Sequence, residues 1–271
     1  MNKKQLLAEL EKLGMRPGRG LGQNFLMDNN LLDWIVRHSA PEPGEVILEV
    51  GPGFGALTGK LLETGAQVTA IEFDHRLADY LREKYKNTAL RLIEADACKV
   101  NYAELFPEGT RFRAIANLPY SISSIFIAKM LELSCGPEYM LFMLQREMGE
   151  RLAASPGCKD YGALSVRTSL DHEVKIEKIV PPEVFHPAPE VESALVSLTR
   201  FRQREAAEVK RISSVTKLAF SQRRKQMGKV LSGSYGREKV EAAFAAAGIP
   251  WEIRPDRVTP EQFALIAENL A

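Results

Sequence analysis

The sequence predicts an α/β fold: a mostly parallel sheet with helices on both faces, then a small all-α domain. Three features of the 271 residues carry this expectation. From residue 44 onward, short apolar runs alternate with stretches of helical periodicity. The first of these runs leads straight into a glycine-rich turn. After Phe201 the strand-like runs stop and only helical segments follow.

Taken in order, Met1 to Leu13 reads as a short amphipathic helix. Val46–Val50, Gln67–Glu72, Leu90–Ala95, Phe112–Ala116 and Tyr139–Leu144 are short and apolar, the pattern of buried parallel strands. Between them, Ala56–Thr64, His75–Lys84, a short Tyr102–Leu105 turn and Ile122–Leu133 read as helices, with Gly65 as a C-terminal stop. Arg146–Ala154 and Tyr161–Leu170 read as helices around a Ser155-Pro156-Gly157 loop. Val174–Val180 and Ala194–Phe201 flank a proline-rich segment, 181–189, and are expected to pair antiparallel at the end of the sheet. That makes seven strands. Arg202 to Glu208 is polar and reads as a linker. Helices follow at Val209–Phe220, Lys225–Leu231, Arg237–Ala247 and Pro260–Leu270, the last capped by Thr259 with Pro260. The expected division is residues 1–201 and 202–271.

Composition narrows the classes. The apolar fraction of 45% and charged fraction of 26% are those of a soluble globular protein. No run of eighteen apolar residues exists, so no membrane span is expected, and residues 1–13 lack a signal-peptide core. Cys98, Cys135 and Cys158 form no CxxC pair. They are expected to be buried and inert, with no metal site, in a cytoplasmic protein. Net charge is only +1, but its distribution is uneven. Residues 200–239 carry +9 and residues 1–20 carry +3, which leaves −11 for the rest. A chain polarised in this way can lay a basic face on a phosphate backbone.

Two motifs carry the chemistry. Glu49-Val50-Gly51-Pro52-Gly53-Phe54-Gly55 closes a strand and opens a helix, so the backbone can approach a nucleoside closely. Glu72 ends the next strand, where a carboxylate can accept both ribose hydroxyls. A glycine loop alone does not separate NAD from S-adenosylmethionine. The GxGxG spacing and Asp96, set to accept from an adenine amine, favour the methyl donor. The second motif, Asn117-Leu118-Pro119-Tyr120, follows the fourth strand of the series. It offers an amide oxygen, a stiffened turn that presents the Leu118 carbonyl, and an aromatic face. An exocyclic amine on a flat base needs that set. Together the motifs imply methyl transfer to the amino group of an adenine. His38, His75, His172 and His186 form no constellation for a general base.

Six motifs occur in series: Leu21-Gly22-Gln23-Asn24-Phe25-Leu26, the Gly51 loop, Ile71-Glu72-Phe73-Asp74, Glu94-Ala95-Asp96-Ala97, Asn117-Leu118-Pro119-Tyr120 and Phe220-Ser221-Gln222-Arg223-Arg224-Lys225. In this the chain resembles the bacterial small-subunit (16S) ribosomal RNA adenine N6-dimethyltransferase family, from Gly14 to the C-terminus. The resemblance implies a Rossmann-like class I methyltransferase fold. It implies two methylations on each of two neighbouring adenines near the 3′ end of 16S rRNA, in a late assembly particle, the pre-30S subunit. It implies that Asn24, Leu26, Gly51, Glu72, Asp96 and Asn117 line the S-adenosylmethionine site, and that Phe185 stacks on the target base with Tyr120. Gln23, Asn24 and Phe25 are read as a lid over the cofactor. Arg223, Arg224 and Lys225, read as the RNA-binding residues, are expected to fan over about 200° of a helix, so that not all three face RNA and Arg223 or Arg224 touches phosphate. The chain departs from the family after them: Gln226-Met227-Gly228-Lys229 puts a glycine inside a helix, at a cost of about 1 kcal/mol. A relative of the same fold that acts on 23S rRNA is the nearest alternative. It usually carries Asn-Ile-Pro-Tyr in the second motif. A monomer is expected.

Overall fold

Five parallel strands form the centre of the molecule. The computed structural model describes residues 3–15, 24–133 and 135–271. In chain order its strands are β1 (Phe25–Leu26), β2 (Val46–Val50), β3 (Gln67–Glu72), β4 (Leu90–Glu94), β5 (Arg113–Asn117), β6 (Tyr139–Gln145), β7 (His172–Val180), β8 (Phe185–His186) and β9 (Ser193–Arg200). The main sheet has seven strands in the order β4-β3-β2-β5-β6-β9-β7. Strands β2 to β6 run parallel, and β9 and β7 add antiparallel at one end. Side chains alternate between two cores, as the pleat demands. Leu48, Val50, Ala114, Ala116 and Phe142 face one. Ile47, Val68, Ala70, Ile115 and Leu141 face the other. Both faces are apolar, which is why these strands read as continuous runs.

The helices are α1 (Lys3–Lys12), α2 (Asn29–Ser39), α3 (Ala56–Glu63), α4 (His75–Lys84), α5 (Tyr102–Leu105), α6 (Ser123–Glu132), α7 (Arg146–Leu152), α8 (Ala163–Ser169), α9 (Ala206–Ser221), α10 (Met227–Tyr235), α11 (Arg237–Ala246) and α12 (Pro260–Asn269). The C-terminal helices share a core built on Ile212, Val215, Leu231, Phe244, Phe263 and Ile266. Tyr161, Val166 and Leu170 from the α8 region belong to the same core. The Tyr161 hydroxyl donates to the Val258 carbonyl at 2.9 Å. Glu132 at the end of α6 gathers Arg167, Ser213 and Lys217 at 3.0–3.1 Å, joining α6, α8 and α9.

Several expectations need correction. Residues 202–208 are not a free linker. Helix α9 starts at Ala206, and Arg204 is buried in ion pairs with Asp171 and Glu208. Its charge therefore belongs to the fold, not to a phosphate-facing surface. Helix α9 ends at Ser221, so Arg223, Arg224 and Lys225 lie in the turn before α10, not on a helix. Gly228 does sit in α10, but packing calls for it. A Cβ there would lie 2.6 Å from the Trp251 ring. The cysteines are free but not buried: Cys98 and Cys135 are half-buried and Cys158 is exposed, all in loops. Helix α2 and the two-stranded β1–β8 sheet were not foreseen.

Candidate active site

The order of the sheet reverses between β2 and β5, and a crevice opens at the carboxyl ends of strands at such a switch point. A cleft of about 310 Å³ lies there. Asn24, Leu26, Gly51, Glu72, Asp96, Asn117, Leu118, Pro119 and Tyr120 all line it. The structure thus brings nine of the residues singled out in the sequence around one cavity.

Gly51 follows β2 with φ +68°, and its N–H donates to the Ile71 carbonyl at 3.0 Å. A Cβ at this position would lie 3.0 Å from two ring carbons of Pro119. Both the backbone angle and the contact therefore call for glycine. The Gly51 loop and the Asn117 motif are in direct contact through this pair. Gly55 caps α3 with φ +75°. A Cβ on it would lie 2.7 Å from the Tyr85 ring, and the Tyr85 hydroxyl donates to the Gly55 carbonyl at 2.7 Å. Lys84 donates to the Phe54 carbonyl at 2.9 Å. Helix α4 thus clamps the far side of the loop, a role the sequence did not reveal.

Glu72 is buried at the end of β3. It accepts from the N–H of Gly53 at 3.1 Å and from those of Phe73 and Asp74 at 2.9 Å. Burial raises its pKa despite these donors. Three donors leave a carboxylate about one open lone pair. It has room for one ribose hydroxyl, not the two expected, while the Gly53 bond holds. Glu49, one strand away, is 2% exposed and accepts from the Thr58 hydroxyl at 2.7 Å. Burial, aided by repulsion from Glu72, pushes its pKa up to about 8. Asp96 accepts from the Cys98 N–H at 2.9 Å, which holds the turn after β4 and keeps its carboxylate at the cleft wall.

In the second motif, the Asn117 Nδ2 group donates to the Asn24 carbonyl at 3.1 Å. That bond fixes the amide orientation and leaves Oδ1 as an acceptor. Leu118 is buried and its N–H reaches the Met143 carbonyl at 3.3 Å. The Tyr120 hydroxyl pairs with Ser193 Oγ at 2.6 Å, which ties the ring to β9. Burial raises the Tyr120 pKa.

Phe185 is not at the cleft. It is 2% exposed, pairs with Leu26 across β1–β8 and packs with Leu31, Leu32 and Ile35. In this structure it is a core residue, with no free ring face for a base. Phe73 is the exposed aromatic ring that the sequence reading missed: it lines the cleft and is 62% exposed. A bulky apolar residue directly after a strand-ending Glu was the available signal. Phe25 lines the cleft and meets Phe54 edge-on at 5.0 Å, whereas Gln23 of the expected lid lies outside the described residues. Arg223, Arg224 and Lys225 are away from this cavity. His75, Asp79 and Glu94 bring ligand atoms within 4.8 Å of one another. Arg82 bridges the two carboxylates, which makes the cluster an ion-pair network.

The cleft is acidic. Among the described residues it is lined by Glu49, Glu72, Asp74 and Asp96 and by no Lys, Arg or His. Even with Glu49 holding its proton, such a wall offers a pyrophosphate no cation and suits a ligand that carries positive charge. The size also lies within the ordinary range for ligand pockets.

Known proteins share both the sequence and the fold. The family model described as ribosomal RNA adenine dimethylase matches residues 17–271. The chain belongs to this family. Among its relatives, the ribosomal RNA small subunit methyltransferase A of Anaeromyxobacter sp. (strain K) is 37% identical, over 97% of this chain and 96% of the relative. The protein of the same description from Streptomyces coelicolor is 40% identical, over 95% and 92% respectively. Among solved structures, the 23S rRNA methyltransferase ErmE is 30% identical, with a TM-score of 0.65, over 91% of this chain and 99% of that one. The chain is thus an enzyme, a methyltransferase of the ribosomal RNA adenine dimethylase family, on the Rossmann-like α/β fold. No helix among the described residues is long and apolar enough to cross a membrane.

Proposed function

We propose that this chain uses S-adenosylmethionine to dimethylate the N6 amino groups of two adjacent adenosines near the 3′ end of 16S rRNA, in a late pre-30S particle in the cytoplasm. The observation that carries this reading is a cation-free cleft with four carboxyl groups that ends at the Asn117–Tyr120 corner. S-adenosylmethionine, when bound, supplies a methyl group already activated on a sulfonium. Glu72 would take a ribose hydroxyl, Asp96 the adenine amine of the cofactor, and Gly51 a close backbone approach. Asn24 and Leu26 would close the near wall.

The chain's own residues then act on the acceptor. The target N6 is a poor nucleophile because its lone pair is delocalised into the ring. The Asn117 Oδ1 and the Leu118 carbonyl accept its N–H groups and localise that lone pair. Pro119 fixes the turn that presents them. Tyr120 gives the base a face to stack on, worth about 1–3 kcal/mol. The base must leave its own stack, so a single-stranded loop is the least costly substrate. Positioning dominates the rate, and the methylated cation loses its proton to water. Residues 1–201 would form the methyltransferase domain and residues 202–271 the RNA-contacting one. Arg223, Arg224 and Lys225 sit in a turn in the basic part of the chain and would contact phosphate.

The test is mass spectrometry of 16S and 23S rRNA fragments after reaction with separated 30S and 50S precursors. We expect two dimethyladenosines in 16S rRNA and none in 23S. The likeness to ErmE keeps the second substrate in the assay, and label confined to 23S rRNA would overturn the proposal. The Asn117→Ala variant should lose at least about 100-fold in methyl transfer, with a smaller loss of affinity for S-adenosylhomocysteine. Stabilisation by NAD but not by S-adenosylhomocysteine in a melting assay would reject the cofactor.

A further inference from the structure

A second cavity, of about 350 Å³, is lined by Ser124, Arg151, Lys159, Asp160, Phe220 and Arg223, among others. We infer that it holds one phosphodiester of the RNA strand whose adenosine enters the acidic cleft. This rests on the RNA reading given above. The charge of the cavity suits an anion. Three cations face a single carboxylate, Asp160, among the charged residues of this cavity. The neighbouring cleft has four carboxyl groups and no cation. The sign of the surface therefore reverses between two adjacent cavities, one suited to a sulfonium and the other to an anion.

The two cavities also lie at the same end of one helix. Ile122 lines the acidic cleft and Ser124 lines the basic pocket, at the start of α6. The two are less than one helical turn apart, a rise of under about 5.4 Å. In this inference the strand that places its base at the Asn117 corner runs its backbone toward Ser124. The cations are also available to a ligand. Lys159 is exposed and forms no ion pair among the described residues. Arg223 spends one donor on the Cys158 carbonyl at 3.1 Å and retains its charge. Arg151 has one carboxylate partner, Glu147, at 3.1 Å. The loop that carries Lys159 is held at both ends, by Gly157 N–H to the Asp256 carbonyl at 2.7 Å and by the Tyr161 hydroxyl to Val258. The cations are presented before the RNA arrives, which lowers the ordering cost of binding.

Lys159→Ala and the Arg151→Ala/Lys159→Ala double variant test this. Binding of a fluorescent RNA carrying the 3′ end of 16S rRNA is followed by anisotropy across a salt series. Loss of one phosphate contact should flatten the slope of log K against log salt by about 0.7, and weaken binding about fivefold at 0.1 M salt. Affinity for S-adenosylhomocysteine should not change. Unchanged slopes in both variants overturn the inference. Weaker binding with an unchanged slope also overturns it, because that marks a structural effect. Lys159→Ala alone decides the matter if the double variant does not fold. Inorganic phosphate is the second probe. If it stabilises the wild type but not Lys159→Ala while the RNA slopes stay equal, the pocket takes a free anion and the RNA assignment fails. Methylation of 16S rRNA is counted on the same wild-type preparation. A flattened slope without methyl transfer keeps the pocket and rejects the proposed activity; methyl transfer with equal slopes does the reverse.

Discussion

Replacing Glu49 with Gln isolates the cost of a carboxyl group buried beside Glu72. The side chain is 2% exposed and its pKa is raised from 4.5 to about 8, chiefly by burial. The folded protein therefore keeps a proton that the unfolded chain releases above pH 4.5. Stability contributed by this group is present at low pH and is lost as pH rises through the folded pKa. One pKa unit corresponds to about 1.4 kcal/mol, so the full penalty nears 5 kcal/mol well above pH 8. Between pH 6 and pH 8 the wild type should lose about 2 kcal/mol through Glu49 alone. Gln is close in shape, carries no charge, and its carbonyl oxygen can accept from Thr58 as Glu49 does at 2.7 Å. The variant should therefore be insensitive to this one titration. Urea unfolding of both proteins from pH 6 to pH 9 measures the difference, in which groups titrating alike in both proteins cancel. We expect Glu49→Gln to gain about 2 kcal/mol on the wild type over that interval. A difference constant to within about 0.5 kcal/mol would mean that Glu49 is already ionised in the fold, and the reasoning would fail.

Gly228→Ala should destabilise the protein by about 1–3 kcal/mol, although helix propensity alone favours alanine, because the added carbon meets Trp251 at 2.6 Å. A stabilised variant in thermal melting would refute the packing account. Tyr85→Phe removes the hydroxyl that holds the Gly55 carbonyl at 2.7 Å. It should cost about 1 kcal/mol and weaken S-adenosylhomocysteine binding in calorimetry; an unchanged affinity would show that the loop needs no clamp from α4.

The central strands could be read because they are apolar on both faces, and outer ones such as β7 because Val174 and Ile176 alternate with charged residues; the Gly51 and Asn117 motifs could be read because they terminate two of the strands. What escaped depends on partners distant in sequence. Strands β1 and β8 are two residues each and exist only by pairing Phe25 with His186 and Leu26 with Phe185. That register decides which way the Phe185 ring faces, so an aromatic residue among prolines could be recognised while its burial could not. Arg204 looks like linker until Asp171 is found beside it at 2.7 Å. Gly228 looks like a helix defect until Trp251 is present. Helix α2 is a different kind of miss. Asp28 caps it, and Leu31, Leu32 and Ile35 lie on one face, so local signals for it were available.

The contact between Gly51 and Pro119 has a consequence for how two substrates meet. No side chain fits between the two walls, so a shift of one is felt by the other. A ligand that settles one side presets the other, and by thermodynamic reciprocity the reverse holds with equal strength. Donor and nucleic acid should therefore change each other's affinity by the same factor.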